Sequence, residues 1–308
     1  NAYETIAERS NLPAICGRVC AHEKQCEAHC ILAKKNSAIS IGSLEMFIAD
    51  FAHEYGLNPV PPSTGKRGKV AVIGSGPAGL TVAGDLAKMD FAVTIFEGQP
   101  EPGGVLLFGI PEFRLEKEVV RREINILRKL GVEIVTEKLI GPDMTVDDLF
   151  AQGYDAIFMG TGTALPRTLD IPGQELSGIL TATYFLKVVV LADSGKLDKK
   201  EVLIHDDDDV VVIGTGNVAI DAARTAIRRT SGNVTVLYHK TAEDMTCLPS
   251  EYEAALKEGV QFKFLKKPLG YLNKKQMRAL TNTRAKASPA DETELAGLLV
   301  QNIVKDPE

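Results

Sequence analysis

The sequence predicts an α/β protein in which a helical N-terminal segment precedes two parallel-sheet units. The order apolar run, glycine turn, helix, apolar run occurs twice, from Val70 to Glu97 and from Val210 to Lys240, and predicts the two units. Four of the five cysteines lie between Cys16 and Cys30, ahead of both, and mark the segment. Strands that alternate with helices imply a parallel sheet.

The chain has 308 residues, enough for two medium domains with their own cores. Its hydrophobic content of 44% and charged content of 25% are ordinary for a globular chain. A net charge of -6 gives no reason to expect nucleic acid or an anionic membrane surface as a partner. No apolar run reaches the ~18 residues that a membrane span needs. The first residues, NAYETIAERS, are polar and show no signal peptide. Clustered cysteines of this kind are not a secreted disulfide framework, so a reducing cytoplasm is expected.

Taken in order, the first element is CGRVCAHEKQCEAHC, with spacing C-x3-C-x5-C-x3-C. If the segment is helical, each i, i+4 pair lies on one face. Thiolates this close point to an iron–sulfur centre, to zinc helped by His22 and His29, or to paired disulfides. Ile41 to Tyr55 carries Leu44, Phe47, Ile48 and Phe51 at helical spacing. Leu57 to Gly68, rich in Pro, Gly and Lys, reads as a linker.

Val70 to Ile73 is then a buried strand, followed by Gly74, Ser75, Gly76, Pro77, Ala78 and Gly79. A helix pattern follows from Leu80 to Met89, with Ala83, Gly84 and Ala87 small enough for close packing, and a second strand runs from Phe91 to Phe96 and ends in Glu97. This is the dinucleotide fingerprint in its required context. Gly74 makes the tight turn, Gly76 lets the backbone approach a pyrophosphate, and Gly79 lets the helix pack on the strand. The helix N-terminus offers unpaired N–H groups and partial positive charge. Glu97 can accept from an unphosphorylated ribose, which points to FAD or NAD. PGGVLLFGIPEFRL brings Gly103 and Gly104, a second close backbone approach, here toward the flavin side. Glu116 to Leu130 is amphipathic, with Val119, Val120, Ile124, Leu127 and Leu130 on one side, and Gly131 ends it. Val132 to Val135 and Tyr154 to Met159 are strands, the latter leading into Gly160, Thr161 and Gly162.

Val188 to Asp209 reads as a connector whose four closing acids form a solvated loop rather than a cation site. Val210 to Ile213 opens the second fingerprint, with Gly214, Gly216 and Ala219 at the small positions, a helix over 218–229 and a strand from Val234 to Tyr238. No acid ends this strand. Tyr238, His239 and Lys240 stand there, so a 2′-phosphate is not repelled and NADP is favoured over NAD. Two different nucleotides are therefore expected, FAD first and NAD(P)H second. Glu251 to Gly259 is a helix and Val260 to Leu265 a strand. Beyond Lys266 the pattern fades, and Asn273 to Glu308 is polar. Cys247 stands alone and reads as a buried or bystander thiol.

The order LPAICGRVC…CEAHC, IGSLE, VAVIGSGPAGL, TIFE, PGGVLLFGIPEFRL, GTG and VIGTGNVAIDAARTA resembles the glutamate synthase small-subunit family, over about residues 10 to 268. That family includes the large subunit of the bifurcating NADH-dependent ferredoxin:NADP oxidoreductase and the N-terminal half of dihydropyrimidine dehydrogenase. The resemblance implies a helical Fe–S domain over 1–64, then two Rossmann-like domains of the disulfide-reductase type, for FAD over 65–190 and for NAD(P)H over 191–308. It implies FAD at Gly74, Ser75, Gly76, Pro77, Ala78 and Gly79, with Glu97 on the ribose and Gly104, Val105, Arg114, Ile140 and Gly162 along the rest. It implies NAD(P)H at Gly214, Thr215, Gly216, Asn217 and Val218, with His239, where relatives usually carry Arg, and Lys240 near the adenosine ribose.

In the family two [4Fe–4S] clusters form between this cysteine segment and an upstream one. By motif position Cys20 and Cys26 join Glu45 at one cluster, Cys30 belongs to the other, and Cys16 matches a further family cysteine. The chain is expected to lack the upstream cysteines and a C-terminal segment that returns to the FAD domain. Neither the C-x2-C of thioredoxin reductase nor the cysteine pair of glutathione reductase is present, so electrons are expected to leave through Fe–S or directly from flavin. The implied function is an NAD(P)H-dependent FAD/iron–sulfur oxidoreductase subunit with no acid–base residue. Its partner is a redox subunit: a glutamate synthase large subunit, a ferredoxin-linked chain or another electron-transfer chain. The alternatives are an electron-bifurcating transhydrogenase-type subunit, a zinc-bearing diaphorase, and a non-catalytic nucleotide-binding scaffold.

Overall fold

The computed structural model describes residues 2–57, 62–163, 166, 168–281, 293 and 295–302. Parts of the expected linker (58–61) and of the polar tail (282–292, 294 and 303–308) lie outside the described residues. The chain forms two compact units, Asn1–Ala164 and Leu165–Glu308.

The first unit begins with α1 (Ala2–Ala7), α2 (Pro13–Val19) and α3 (Ile41–Glu54). Pro13 suits the first turn of α2, where its missing N–H is no loss. The cysteine run is not one helix: Cys16 lies within α2, Cys20 caps it, Cys26 falls in a turn beyond a short 3-10 stretch, and Cys30 is the extended cap of a second one. Helices α2 and α3 cross closely because two glycines meet there. A Cβ on Gly17 would stand 2.5 Å from the Met46 nitrogen, and one on Gly42 would stand 2.4 Å from the His22 ring. The buried face of α3 is Gly42, Ala49 and Ala52. Its apolar residues at the expected spacing face outward instead, with Phe47 63% exposed and Leu44, Phe51 and Tyr55 beside it.

The rest of the unit is β1 (Lys69–Ile73), α4 (Pro77–Lys88), β2 (Ala92–Phe96), α5 (Val105–Phe108), α6 (Lys117–Lys129), β3 (Glu133–Val135), α7 (Val146–Ala151) and β4 (Ala156–Met159). The strands form one parallel sheet in the order β3-β2-β1-β4, with Ile73 beside Phe96 and Met159. Four successive residues of β1 and of β2 are buried, as in a sheet covered on both faces. The expected amphipathic helix is α6, which buries Val119, Val120, Ile124 and Leu127. Helix α7 carries a reciprocal capping box between Thr145 and Asp148.

The second unit comprises α8 (Ala182–Asp193), β5 (Val210–Ile213), α9 (Asn217–Ala226), β6 (Val234–Leu237), α10 (Pro249–Lys257), β7 (Gln261–Lys263), β8 (Lys266–Asn273), α11 (Lys274–Thr281) and β9 (Leu295–Asn302). Parallel strands β5-β6-β7 form one sheet, and β8 and β9 form an antiparallel pair. Two expectations are corrected. The connector from Val188 is helical as far as Asp193, because α8 buries Phe185, Leu186, Val188 and Val189 against Ile220, Ala223, Val234 and Val236. The pattern beyond Lys266 yields strands after all, joined by main-chain pairing rather than by a clean alternation. The acids 206–209 form a turn into β5. The Thr230 hydroxyl donates to the Asp206 and Asp208 carbonyls at 3.0 and 2.7 Å, and Asp209 accepts from Asn233.

Candidate functional site

In the first unit the turn between β1 and α4 needs each of its glycines for a different reason. Gly74 has φ +95°, and a Cβ there would meet the Gly160 carbonyl oxygen at 2.5 Å. A Cβ on Gly79 would stand 1.9 Å from the Gly74 oxygen. Gly76 faces open space, with nothing within 4 Å, and caps the N-terminus of α4. Pro77 and Ala78 are exposed on the first turn. This leaves a free approach to the helix N-terminus, the arrangement that accepts phosphate. Gly104, at φ +52°, packs its backbone on Gly76: a Cβ there would be 2.8 Å from the Gly76 Cα.

Ser75 joins these parts. It is fully buried, and its hydroxyl donates to Glu97 Oε2 at 2.5 Å and accepts from the Gly103 N–H at 2.9 Å. The Ser75 N–H also donates to Glu97 Oε2, at 3.0 Å, and Gln99 N–H donates to Oε1 at 2.8 Å. The carboxylate thus stands fixed at the end of β2 with three bonds accepted and one Oε1 lone pair left over for a ribose hydroxyl. Sequence reasoning found each residue but not this bond. Its only signal was a hydroxyl between two glycines opposite an acid-terminated strand. Val105 opens α5 and is half exposed, Arg114 is half-buried in the turn before α6, Ile140 packs with Ala71, Ile73 and Phe96, and Gly162 lies exposed beyond β4.

In the second unit Gly214 has φ +111° with nothing near its Cβ position, and Gly216 caps α9. The turn is braced by a segment in which sequence reasoning noted only the thiol: Cys247 N–H donates to the Thr215 carbonyl at 3.0 Å, and Leu248 N–H donates to Asn217 Oδ1 at 3.2 Å. Val218 is half exposed, and His239 and Lys240 lie exposed past the end of β6. Cys247 is buried.

The cysteine segment is fastened to the first unit's sheet layer. Asp50 on α3 accepts from Arg18 on α2 at 2.8 Å and from Arg122 on α6 at 2.6 Å. Burial raises the Asp50 pKa, but the hydrogen bonds and charges of the two guanidinium groups outweigh it and hold the carboxyl below its usual range. Glu123, 2% exposed, reaches Ala14 N–H at 3.4 Å, and burial pushes its pKa up to about 7 against the pull of Arg122.

The cysteines are free thiols with different surroundings. Burial, then the nearby Glu45 carboxylate and Cys20, push Cys16 up to about 11. Backbone N–H groups around Cys30, from Ile39 first, lower its pKa and favour the thiolate that a metal needs. Glu45 is itself raised, by burial above all. The His22 ring stands 3.3 Å from Cys26 Sγ, and Cys20 Sγ is 3.9 Å from Gln25 Oε1. Among the described residues no three His, Cys, Asp or Glu side chains gather on one point. The segment alone therefore does not present a four-donor zinc site. Thiols are the donor type that an iron–sulfur cluster takes. No helix among the described residues is long and apolar enough to cross a membrane.

A glycine turn entering a helix from a parallel strand, repeated in a second unit of the same chain, defines the dinucleotide-binding oxidoreductase class of α/β folds. This chain belongs to the pyridine nucleotide-disulphide oxidoreductase family, whose pattern matches residues 68–300, and residues 1–57 match dihydropyrimidine dehydrogenase domain II, 4Fe-4S cluster. It is 37% identical over 272 residues to the glutamate synthase [NADPH] small chain of Escherichia coli K12, covering 87% of this chain and 57% of that one. It is 36% identical over 293 residues to the Halomonas elongata small chain, covering 94% and 62%. The chain thus spans little more than half the length of these relatives. Mycobacterium tuberculosis FprA in complex with NADPH shares the fold at a TM-score of 0.55 and 20% identity, over 66% of this chain and 61% of that one.

Proposed function

We propose that this chain is the nucleotide-binding and iron–sulfur part of an oxidoreductase subunit like the glutamate synthase small chain, taking electrons from NAD(P)H through FAD to [4Fe–4S] clusters and on to a partner redox subunit. The observation that carries the reading is the pair of glycine turns of opposite ribose chemistry. One is closed by a fixed acid, Glu97. The other ends in an acid-free strand followed by His239 and Lys240. The first suits the ribose of FAD, and the second suits a 2′-phosphate.

FAD, when bound, supplies hydride acceptance from NAD(P)H and release of electrons one at a time. The protein's own contribution is placement. In this reading the sheet part of the first unit holds FAD through Gly74–Gly79, Glu97, Gly104, Val105, Arg114, Ile140 and Gly162. The second unit holds NAD(P)H through 214–218, His239 and Lys240. Residues 1–64 present Cys20, Cys26, Cys30, Glu45 and Cys16 to the clusters. The thiolate-favouring N–H groups at Cys30 support a ligand role there, and the raised Cys16 makes it the weakest of the candidate donors. The small chains matched here imply by their name a larger partner, and five described cysteines outside any disulfide support a cytoplasmic setting.

The test is Gly216→Val. The nearest atom to a Cβ at Gly216 is Thr246 Oγ1 at 3.7 Å, so the variant has room to fold. Its side chain blocks the pyrophosphate approach. NAD(P)H-driven bleaching of bound flavin should vanish while dithionite bleaching persists. Loss of both, or of neither, defeats the assignment of the two turns.

A further inference from the structure

The first unit holds a cavity away from its glycine turn. It has a volume of about 250 Å³ and lies between α1, the turn before α2, and the C-terminal ends of α4 and α6. Lys88, the last residue of α4, stands in its wall. The phosphate-accepting turn is at the other end of that 12-residue helix, about 18 Å away at a rise of about 1.5 Å per residue. The cavity is therefore not an arm of the dinucleotide site.

Its wall is fastened by hydrogen bonds. Asn11, in the turn before α2, donates through Nδ2 to the Thr81 carbonyl at 3.0 Å and to Asp85 Oδ1 at 2.6 Å, which ties that turn to α4. Lys88 Nζ donates to the Ala7 carbonyl, which ties α1 to the same helix. A space held open in this way needs little reordering to receive a ligand. Pro13, Ile126 and Leu130 line it with apolar surface.

Glu123 faces this cavity, is 2% exposed, and accepts one hydrogen bond, from Ala14 N–H to Oε2 at 3.4 Å. Its Oε1 has no partner among the described residues. Arg122, beside it in sequence, places an arm of its guanidinium on Asp50 at 2.6 Å. A buried carboxylate left without donors is unfavourable, and burial accordingly pushes the Glu123 pKa up to about 7. Tyr3 is buried in the same wall, and Glu123 adds to the burial that raises its pKa. The cations at the cavity are Lys88 and Lys129, the closing residues of α4 and α6. Lys129 follows Glu123 by six positions on α6, about 9 Å along the axis. Opposite charges thus meet the cavity at two separate places. An ammonium and a carboxylate joined through one carbon, each with an ion contact of about 2.8 Å, span a similar distance.

We propose that this cavity binds an α-amino acid with an apolar side chain, its ammonium on Glu123 Oε1 and the Tyr3 hydroxyl, its carboxylate toward Lys88 and Lys129, and its side chain against Pro13, Ile126 and Leu130. The size suits the class: an apolar cavity of about 150 Å³ takes up benzene, and the larger space here accommodates leucine. The inference is independent of the nucleotide reading of the glycine turns.

The experiment is NMR titration of the FAD-loaded protein with L-leucine, read by saturation transfer to the ligand protons at pH 8, above the Glu123 value. L-Leucine is expected to bind with a Kd below about 1 mM. Isoamylamine, which lacks the carboxylate, and isocaproic acid, which lacks the ammonium, should each bind at least about tenfold more weakly. Glu123→Gln keeps the shape. It should weaken L-leucine at least about tenfold and leave isocaproic acid within about threefold of wild type. The double variant Lys88→Met, Lys129→Met should weaken L-leucine and isocaproic acid and spare isoamylamine.

No transfer to L-leucine, L-valine or L-phenylalanine at about 10 mM overturns the proposal, and is the result that a cavity filled only by water gives. An L-leucine affinity that Glu123→Gln leaves within about threefold overturns it as well. So does a uniform loss of all three leucine-like probes in both variants, because the charges then do not divide the ligand as assigned. If the double variant does not fold, Lys129→Met alone, at an exposed position, should weaken L-leucine and isocaproic acid at least about threefold and leave isoamylamine unchanged; any other order of effects counts against the site.

Discussion

The first glycine turn and the second share a backbone and differ in how tightly they are enclosed. Gly76 and Gly216 have nearly the same conformation, φ −69° and −73°. Around the first turn the first and third small positions are packed, Gly74 against Gly160 and Gly79 against Gly74, and Gly104 packs on Gly76, whose own Cβ position faces open space. Around the second, Gly214 meets nothing, Gly216 has only Thr246 at van der Waals distance, and the third small position is already Ala219. Glycine therefore serves two separate needs here. A turn conformation requires it in both units, whereas close packing requires it only in the first. The first turn is built as part of a closed layer, and the second as a turn held from one side by 246–248.

The sharpest way to break this comparison is at the third small position. Gly79→Ala forces a Cβ onto a backbone oxygen and should cost about 3 kcal/mol, the upper end for overpacking. Ala219→Gly should cost about 1 kcal/mol through helix propensity alone. Denaturant midpoints of the two variants decide it, and equal losses would mean the enclosure does not differ.

Next in size is the response to pH, where the two units are opposite. Burial raises Glu123 from 4.5 to about 7, so its stabilising contribution is full below 4.5 and is lost as pH rises to about 7. Glu123→Gln should remove that loss and gain on the order of 2–3 kcal/mol over wild type at pH 8 relative to pH 4.5. In the second unit Glu258 is raised by burial but lowered more by Arg228 and Arg224, to about 2. Its contribution is present above 4.5 and disappears as pH falls through about 2. Relative to wild type, Glu123→Gln should be more stable above about pH 7, whereas Glu258→Gln should be less stable above 4.5 and should converge on wild type as pH falls toward about 2. A Glu258→Gln deficit that persists undiminished near pH 2 contradicts the pairing.

Glu97→Ala removes the acceptor of Ser75 and Gln99 and one charge-assisted bond to the ribose. FAD affinity should fall by one to two decades, or about 1.5–3 kcal/mol. Lys240→Ala is the smallest effect: NADPH affinity should fall about tenfold, near 1.4 kcal/mol, with NADH affinity nearly unchanged. Flavin-reduction kinetics with both cofactors check it. Equal weakening of the two would place Lys240 on the pyrophosphate rather than on the phosphate-bearing ribose.

Both fingerprints were legible in the sequence because each consists of short-range signals. The buried parallel strands read as continuous apolar runs, and the glycines sit at fixed offsets. What escaped has longer range or weaker period. Helix α8 contains the run Val188–Val190, β-branched and apolar, which gives no helical period until its burial against α9 and β6 is known. Strands β8 and β9 pair across register shifts at Pro268 and Leu272, so no alternation survives in either. The apolar spacing in α3 was visible, but not which face is buried. Gly42, Ala49 and Ala52 decide that through close packing, and leave Phe47 and Phe51 outside. At the sites the residues were legible and their partners were not: Ser75 to Glu97 spans 22 positions, and the bracing of Thr215 by Cys247 depends on a loop without a motif.

Asp50 has a further consequence. One carboxylate on α3 holds a guanidinium from α2 and another from α6, so three helices share a single rivet. Sliding any one of them strands a half-buried charge, which makes the joint stiff along the direction that separates the cysteine segment from the first sheet. Electron tunnelling decays exponentially with distance. For any redox group carried on that segment, a stiff joint narrows the spread of donor–acceptor distances. The rate of transfer is then set by one fixed gap rather than by the rare moments when a loose domain swings close.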